Sequence, residues 1–424
     1  MQIDHLTIQN FNGFDHREFT FDPKFNLLVG DNATGKSSVI NALAVAIGSW
    51  FLGIKGYAKP IGIDADEVRL SIRQYQDSWS FEKQFPTQVK VRGQAMGRNL
   101  IWARELSREG GRTHYVNARS ISDVASKAEQ RLRDGQDVVL PLICAYGVER
   151  LWFEVGHRKI KTSEPSMLKR PSRFDGYRDY HAFTIQETDL LSWIRAEVSA
   201  GQQRGEETIA YKAFKEAVVC CVEGASEPYY DERYGDIVIT VAEYGHQMFR
   251  NLSDGYRIML TMIGDMVRRA ATLNPQLGDK VLKETSGVVL IDELDLHLHP
   301  RWQRRVIRDL KETFPSIQFI ATTHSPQLIG EARPQEVIRL ESKEAPNPAQ
   351  AYGMDSNWVL KHIMGAEERD KTVKAKLDDV SGLIENDNLH EAQLRIDKLR
   401  NEIGNDPEQV RLSARIDRFA GRTK

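Results

Sequence analysis

Polar and apolar side chains alternate over residues 1–10, and this period of two predicts a strand with one face in water. A short apolar run over 25–29 leads into a glycine-rich turn, after which a helix is expected over about 36–47. Alternation returns over 68–106, with Val68, Leu70 and Ile72 and then Trp79 and Phe81, and predicts antiparallel strands. A polar helix is expected over about 120–133, and the unbroken apolar run 138–146 reads as a buried strand. Gly, Pro, Ser and charged residues dominate 156–180, which predicts an exposed loop. Helical spacing follows over about 189–202 and 206–222, then a strand at 237–242 and a strongly apolar helix ending near Leu273. Strand, helix, strand and strand are expected at 288–291, 301–313, 317–322 and 337–340. From about Asn347 onward, Lys, Glu, Asp and Leu recur at helical spacing, with breaks near Asn388 and Pro407, which predicts three or four short helices.

This order of elements describes an α/β fold with an antiparallel β lobe. The expected division is a main domain over 1–345, with a β lobe over about 1–150, a loop and helical insertion over 151–230 and a second lobe over 231–345. A helical region over 346–424 follows. The chain has 424 residues, of which 41% are hydrophobic, enough for one large core or two smaller ones. Its 58 basic and 60 acidic side chains nearly cancel. A domain that lives on DNA usually carries a basic excess, so nucleic-acid contact is expected only through a local patch or a partner. No apolar run approaches the roughly 20 residues that span a bilayer, and the first residues do not read as a secretory signal. Cys220 and Cys221 are adjacent and Cys144 lies in an apolar strand, which is no disulfide framework and no zinc pattern. A reducing, cytoplasmic setting is expected.

The segment Gly30-Asp31-Asn32-Ala33-Thr34-Gly35-Lys36-Ser37, followed by Ser38, carries the most chemistry. It matches G-x-x-x-x-G-K-[ST] between an expected buried strand and an expected helix. The glycines let successive backbone N–H groups point inward at phosphate oxygens, and the helix start adds partial positive charge. In this pattern Lys36 reaches the β- and γ-phosphates, and the Ser37 hydroxyl ligates magnesium. A second acid for the metal is supplied by Val288 to Glu293: a buried strand delivers Asp292 to its carboxyl end. Glu293, one residue later, is placed to take a proton from an attacking water. The next apolar strand ends in Thr322-Thr323-His324-Ser325-Pro326, which puts His324 at the same sheet edge, within reach of the γ-phosphate or the water. His297 and His299 flank Leu298 before Pro300; a metal site is conceivable, but a turn into a helix that starts with Pro300 is the preferred reading. Leu252-Ser253-Asp254-Gly255 opens another helix, and Ser253 with the N–H groups after it forms a further anion site.

Taken together, these motifs resemble those of the ABC ATPases of the SMC, RecF and OLD group. The stretch from Asp292 to Pro300 and the Thr323 to Pro326 switch look like the soluble branch of that group. The resemblance implies an ABC-type P-loop ATPase head that binds ATP and Mg2+. The signature of one subunit, here Ser253, Asp254 and Gly255, closes on ATP held by the phosphate loop of another, and Asp295 falls at the D-loop, across the seam. The whole chain, including the tail around Tyr352 to Trp358 and Asp406 to Leu412, is also similar to the PtuA ATPases of Septu antiphage systems, whose relatives accompany some retrons. That similarity implies an anti-phage role, a homo-oligomer of ATP-bound dimers, and recruitment of a separate HNH-type nuclease, PtuB, with DNA reached through the complex. A RecF-like DNA-repair ATPase is the alternative, and a transporter motor the weakest reading.

Two departures bear on rate. Asp254 stands where the signature has Gly, and no Q-loop glutamine can be assigned: 145–150 contains no Gln, and Gln186 lies well beyond it. Both point to slow hydrolysis, with ATP acting as glue or as a sensed ligand. The stretch between Lys36 and Ser253 is too short and too poor in heptads for a coiled-coil arm. Neither a Toprim-like acid cluster nor a His-Asn-His constellation is evident, so no nuclease activity of its own is expected. The segment 157–178 carries Arg158, Lys159, Lys161, Lys169, Arg170, Arg173 and Arg178. It reads as a solvated loop, with a nucleic-acid backbone as the other possible occupant. The apolar positions Leu383, Ile384, Leu389, Leu394, Ile396 and Leu399 suit helix hairpins, a surface between dimers, or a partner's dock.

Overall fold

The computed structural model describes residues 1–76, 78–148, 172–181, 187–222, 224–242, 244–340, 351–367 and 369–420. They fall into two units, Met1–Asp355 and Ser356–Lys424.

The first unit begins with β1 (Gln2–Phe11), β2 (Phe14–Thr20), β3 (Phe25–Val29) and α1 (Lys36–Ile47). The strands β4 (Leu70–Tyr75), β5 (Ser78–Lys83), β6 (Thr87–Ala95) and β7 (Arg98–Leu106) follow, then α2 (Arg119–Arg133) and β8 (Leu142–Tyr146). Next come α3 (Glu187–Arg204), α4 (Ile209–Cys221), β9 (Ala225–Asp231), β10 (Asp236–Val241), β11 (Gly245–Met248) and α5 (Asp254–Leu273). The unit closes with α6 (Val281–Glu284), β12 (Gly287–Ile291), α7 (Pro300–Gln303), α8 (Val306–Thr313), β13 (Ile317–Thr322), α9 (Pro326–Glu331) and β14 (Val337–Arg339).

Two sheets make the core. One is parallel, in the order β14-β3-β13-β12-β8, and every residue of β3, β8, β12 and β13 is buried. Continuous apolar runs suit strands covered on both faces. The other sheet is antiparallel, in the order β2-β1-β6-β7. α1 packs against strands of both sheets, and its Val39, Ile40 and Ala42 to Ile47 are all buried. Trp102 of β7 donates its indole N–H to the carbonyl of Ala46 at 2.9 Å, fixing the helix from the antiparallel side. Gln318 of β13 joins the sheets directly: its amide accepts from Ile3 N and donates to Ile3 O, both at 2.8 Å, within the core. A buried amide that satisfies both backbone groups of one residue sets how the sheets meet at little polar cost.

Several elements differ from their sequence reading. The run 138–146 is a strand only from Leu142. Before it, the N–H and C=O of Leu140 pair with the side chain of Asn274, at 2.8 and 2.9 Å, which leaves no ladder for a strand. Of the segment read as an exposed loop, the part after Pro171 is packed: Phe174, Tyr177 and Tyr180 are buried, and the Phe51 ring lies 5.1 Å from that of Tyr177 and 4.1 Å from that of Tyr180. Arg173 donates to Leu273 O at 2.7 Å and to Val138 O, so it serves the fold and not an anion. Arg158, Lys159, Lys161, Lys169 and Arg170 lie outside the described residues. The helix expected over 301–313 is two helices, separated where Arg305 N bonds back to Trp302 O at 2.9 Å. β9 and β11 pair antiparallel with β10 and have no apolar alternation to announce them.

The second unit contains α10 (Ser356–His362), α11 (Lys371–Glu385), α12 (Leu389–Ile403) and α13 (Pro407–Ala420). Leu377, Val380 and Ile384 face Ala392, Ile396 and Leu399 and also Leu412 and Ile416, each set at helical spacing of three or four. Leu383 and Leu389 pack at the edge of this core, while Leu394 is exposed.

Candidate nucleotide site

Parallel pairing decides what the site brings together. β3, β13 and β12 are adjacent and run the same way, so their carboxyl ends meet at one edge. The Gly30 to Ser37 loop leaves β3 there, Asp292 and Glu293 leave β12, and Thr323 and His324 leave β13. The sequence expectation that these segments share an edge matches the topology.

The loop has a strained, open form. Ala33 (φ 66°) and Gly35 (φ 94°) both take left-handed backbone conformations. A side chain on Gly35 would also strike the Phe14 ring, 2.6 Å from the position of a Cβ. Gly35 caps α1 without a side-chain hydrogen bond, and the first helical turn holds no acid. Lys36 is buried and donates from Nζ to the carbonyls of Gly30, at 2.7 Å, and Asp31, at 2.9 Å. Asp31, Asn32, Ala33 and Ser37 are exposed, and Thr34 and Ser38 are half-buried. A helix start with no acid, a buried lysine folded over the loop, and an accessible hydroxyl one residue on fit an anion with its magnesium.

Asp292 is buried, with its N–H on Tyr146 O at 2.8 Å. Its carboxylate Oδ1 accepts from the Thr322 hydroxyl at 2.5 Å, and that same hydroxyl oxygen accepts from Glu293 N at 2.7 Å. Glu293 has a left-handed φ of 50°. A carboxylate and a hydroxyl are hard oxygen donors, which suit Mg2+. Sequence reasoning missed Thr322. Only the parallel register, which pairs Ile291 with Ala321, sets Thr322 level with Asp292.

Asp295 is engaged within its own chain. Its Oδ1 accepts from the Thr323 hydroxyl at 2.7 Å and from His324 N at 3.4 Å. Ser325 caps α9 through Leu328 N at 3.3 Å and donates to Gln303 at 2.7 Å. His299 accepts from Arg301 N at 3.2 Å through Nδ1, which is the helix-entry turn expected for it.

Ser253 and Asp254 are exposed at the start of α5, and Gly255 is buried. Ser253 is the N-cap residue but its hydroxyl makes no cap hydrogen bond. Asp254 lies 3.8 Å from Arg257, whose guanidinium is held by both oxygens of Glu187, at 3.0 and 2.7 Å. Ser253 and Gly255 line a cavity of about 900 Å³ with Tyr256, His297 and Trp302 among its walls. Within 145–150, where a Q-loop glutamine would fall, Glu149 and Arg150 lie outside the described residues, as does Gln186. Among the described residues no helix is long and apolar enough to cross a membrane.

Two family models match the chain. One, described as an AAA domain, covers residues 5–212; the other, described as "AAA domain, putative AbiEii toxin, Type IV TA system", covers 243–330. The Retron Ec83 probable ATPase of Escherichia coli is 24% identical over 87% of this chain and 77% of its own length. The Septu protein PtuA of Bacillus thuringiensis is 34% identical over 31% of this chain and 36% of that protein. Among solved structures, the SMC head domain from Thermotoga maritima aligns over 80% of this chain and 94% of that one, at 18% identity and a TM-score of 0.44. With a phosphate loop and an acid pair on one sheet edge and AAA-domain matches over both halves of that edge, this chain is an AAA-type ATPase related to the Septu PtuA and retron ATPases.

Proposed function

We propose that this ATPase binds Mg-ATP between two copies of itself and uses the closed pair to hold and control a separate HNH-type nuclease in antiphage defence. The observation that carries the reading is the unfilled start of α5: Ser253 is exposed, caps nothing in its own helix, and lines a cavity beside Gly255. In this reading the γ-phosphate on a partner's loop fills it. Lys36 binds the β- and γ-phosphates, and Ser37 and Asp292 hold the metal. When bound, Mg2+ offsets phosphate charge and orients the γ-phosphoryl group. Glu293 takes a proton as water attacks the γ-phosphorus and the bond to the β-phosphate oxygen breaks, releasing ADP and phosphate. His324 contacts the γ-phosphate from the neighbouring strand end, and Asp295 meets the partner across the seam.

Asp254 adds negative charge at the trans site, consistent with slow turnover in which occupancy matters more than flux. The nuclease-competent state must then differ from the resting state in affinity for ATP, since a ligand shifts an equilibrium only through differential binding. The region 346–424 supplies the surface for larger assembly or for the nuclease, with nucleic acid reached through the complex. The similarity to Septu PtuA supports the defence setting. The test is coexpression with the product of the neighbouring reading frame, which the proposal expects to be an HNH-type nuclease. A stable complex whose nuclease activity changes with nucleotide, and no longer does so in Lys36→Ala, is expected. Purification without such a nuclease, together with salt-dependent DNA binding by the chain alone, would contradict the proposal and favour a repair ATPase.

A further inference from the structure

We infer that Thr322 is a positioning residue that holds Asp292 and Glu293 in working register through one hydroxyl; this rests on the reading of those acids as metal holder and base. β12 ends at Ile291, and its pairing with β13 sets Ile291 beside Ala321, so Asp292 continues level with Thr322. The threonine is fully buried. Its Oγ1 donates to Asp292 Oδ1 at 2.5 Å and accepts from Glu293 N at 2.7 Å. One proton and one lone pair therefore tie two consecutive residues to the neighbouring strand. The donated proton fixes which carboxylate oxygen of Asp292 faces β13, and with it the orientation in which the carboxylate would hold a metal. The accepted N–H supports the left-handed backbone of Glu293 (φ 50°), a conformation that costs a non-glycine residue energy unless its surroundings hold it. The backbone adds a third tie, with Leu294 N on Thr322 O at 2.9 Å. That bond survives any side-chain change, so loss of the hydroxyl frees the acids without unpairing the strands.

The experiment uses the full chain carrying Thr322→Val, which keeps the shape and removes the hydroxyl, with Thr322→Ala as a second version and Thr322→Ser as the rescue. In Thr322→Val, kcat falls about tenfold to a hundredfold while KM for ATP at saturating Mg2+ changes less than threefold. The Mg2+ concentration that half-saturates binding of a fluorescent ATP analogue rises at least fivefold, and binding in EDTA is unchanged. Thr322→Ser returns both values to within about threefold of the parent. In a Glu293→Gln background, Thr322→Val lowers the residual rate less than twofold, because two changes on one catalytic unit do not add. A merely structural role moves none of the Mg2+ midpoint, the split between kcat and KM, or the serine rescue. Parent-like kcat and Mg2+ midpoint in Thr322→Val and Thr322→Ala overturn the inference, as does failure of serine to rescue. Indifference of nucleotide binding to Lys36→Ala would instead bring down the site reading beneath it.

Discussion

At the scale of single residues, a cluster of polar and charged side chains is buried around Asp265 on α5. Asp265 on α5 accepts from Tyr146 OH at 2.9 Å, from Arg269 Nε at 2.6 Å and from Arg268 Nη2 at 2.5 Å. Arg269 in turn donates to Gly176 O at 3.1 Å and Arg178 O at 2.7 Å. Tyr146 is the residue whose carbonyl holds Asp292 N, so the α5 helix and the acid pair share one anchor. Burial works to raise the Asp265 pKa, and the charges and hydrogen bonds of Arg269 and Arg268 overcome it, holding the carboxyl at about 2. Burial, with Asp265 beside it, pushes the Tyr146 hydroxyl up, so it remains a neutral donor. A carboxyl depressed on folding stabilises the native state above its unfolded pKa and loses that contribution as pH falls toward the folded value. For Asp265 the shift is worth about 2 kcal/mol, complete above pH ~4 and lost between there and pH ~2. Asp265→Asn leaves the buried Arg269 guanidinium, and the half-buried Arg268 beside it, without their acid and should cost about 3–5 kcal/mol near neutral pH. Denaturant unfolding of parent and variant should show a gap that is constant from pH 7 to 5 and narrows by about 2 kcal/mol below pH 4. A gap independent of pH would remove Asp265 from this role.

At the scale of elements, the start of α5 meets the turn before α7. A Cβ on Gly255 would fall 2.5 Å from the carbonyl oxygen of His297, and His297 is itself fixed in a left-handed conformation (φ 58°). Backbone on both sides leaves nothing soft to move. Gly255→Ala should therefore tilt the helix start, with at least tenfold weaker ATP-dependent self-association in sedimentation and less than threefold change in ATP affinity. Unchanged association would mean that this helix start lies away from the contact between copies. How much was legible in the sequence follows from the same local physics. β3, α1, β12 and β13 are announced by apolar runs and a glycine turn, because strands buried on both faces have no other way to be written. Thr322 was hidden because a buried hydroxyl looks in sequence like any β-branched strand residue. The packed 172–180 segment was hidden because Ser172, Arg173 and Asp175 give it a loop's composition, while Phe174, Tyr177 and Tyr180 fill the core. β9 and β11 were hidden because their pairing comes from β10 and not from a pattern of their own.

At the scale of the whole molecule, one sheet edge gathers phosphate loop, acids and histidine from strands far apart in sequence, and that much the motif spacing already implied. The helix start carrying Ser253 is different in kind: nothing within α5 uses its hydroxyl, and the resemblance that led to it speaks of a second subunit. The account therefore stands on a composite site. The direct measurement is an experimental structure of the Glu293→Gln protein with ATP and Mg2+. The account predicts ATP on the Gly30 to Ser37 loop of one protomer with the partner subunit's Ser253 within hydrogen-bonding distance of the γ-phosphate. ATP seated on the loop with the partner's Ser253 turned away from it at every site would contradict that claim.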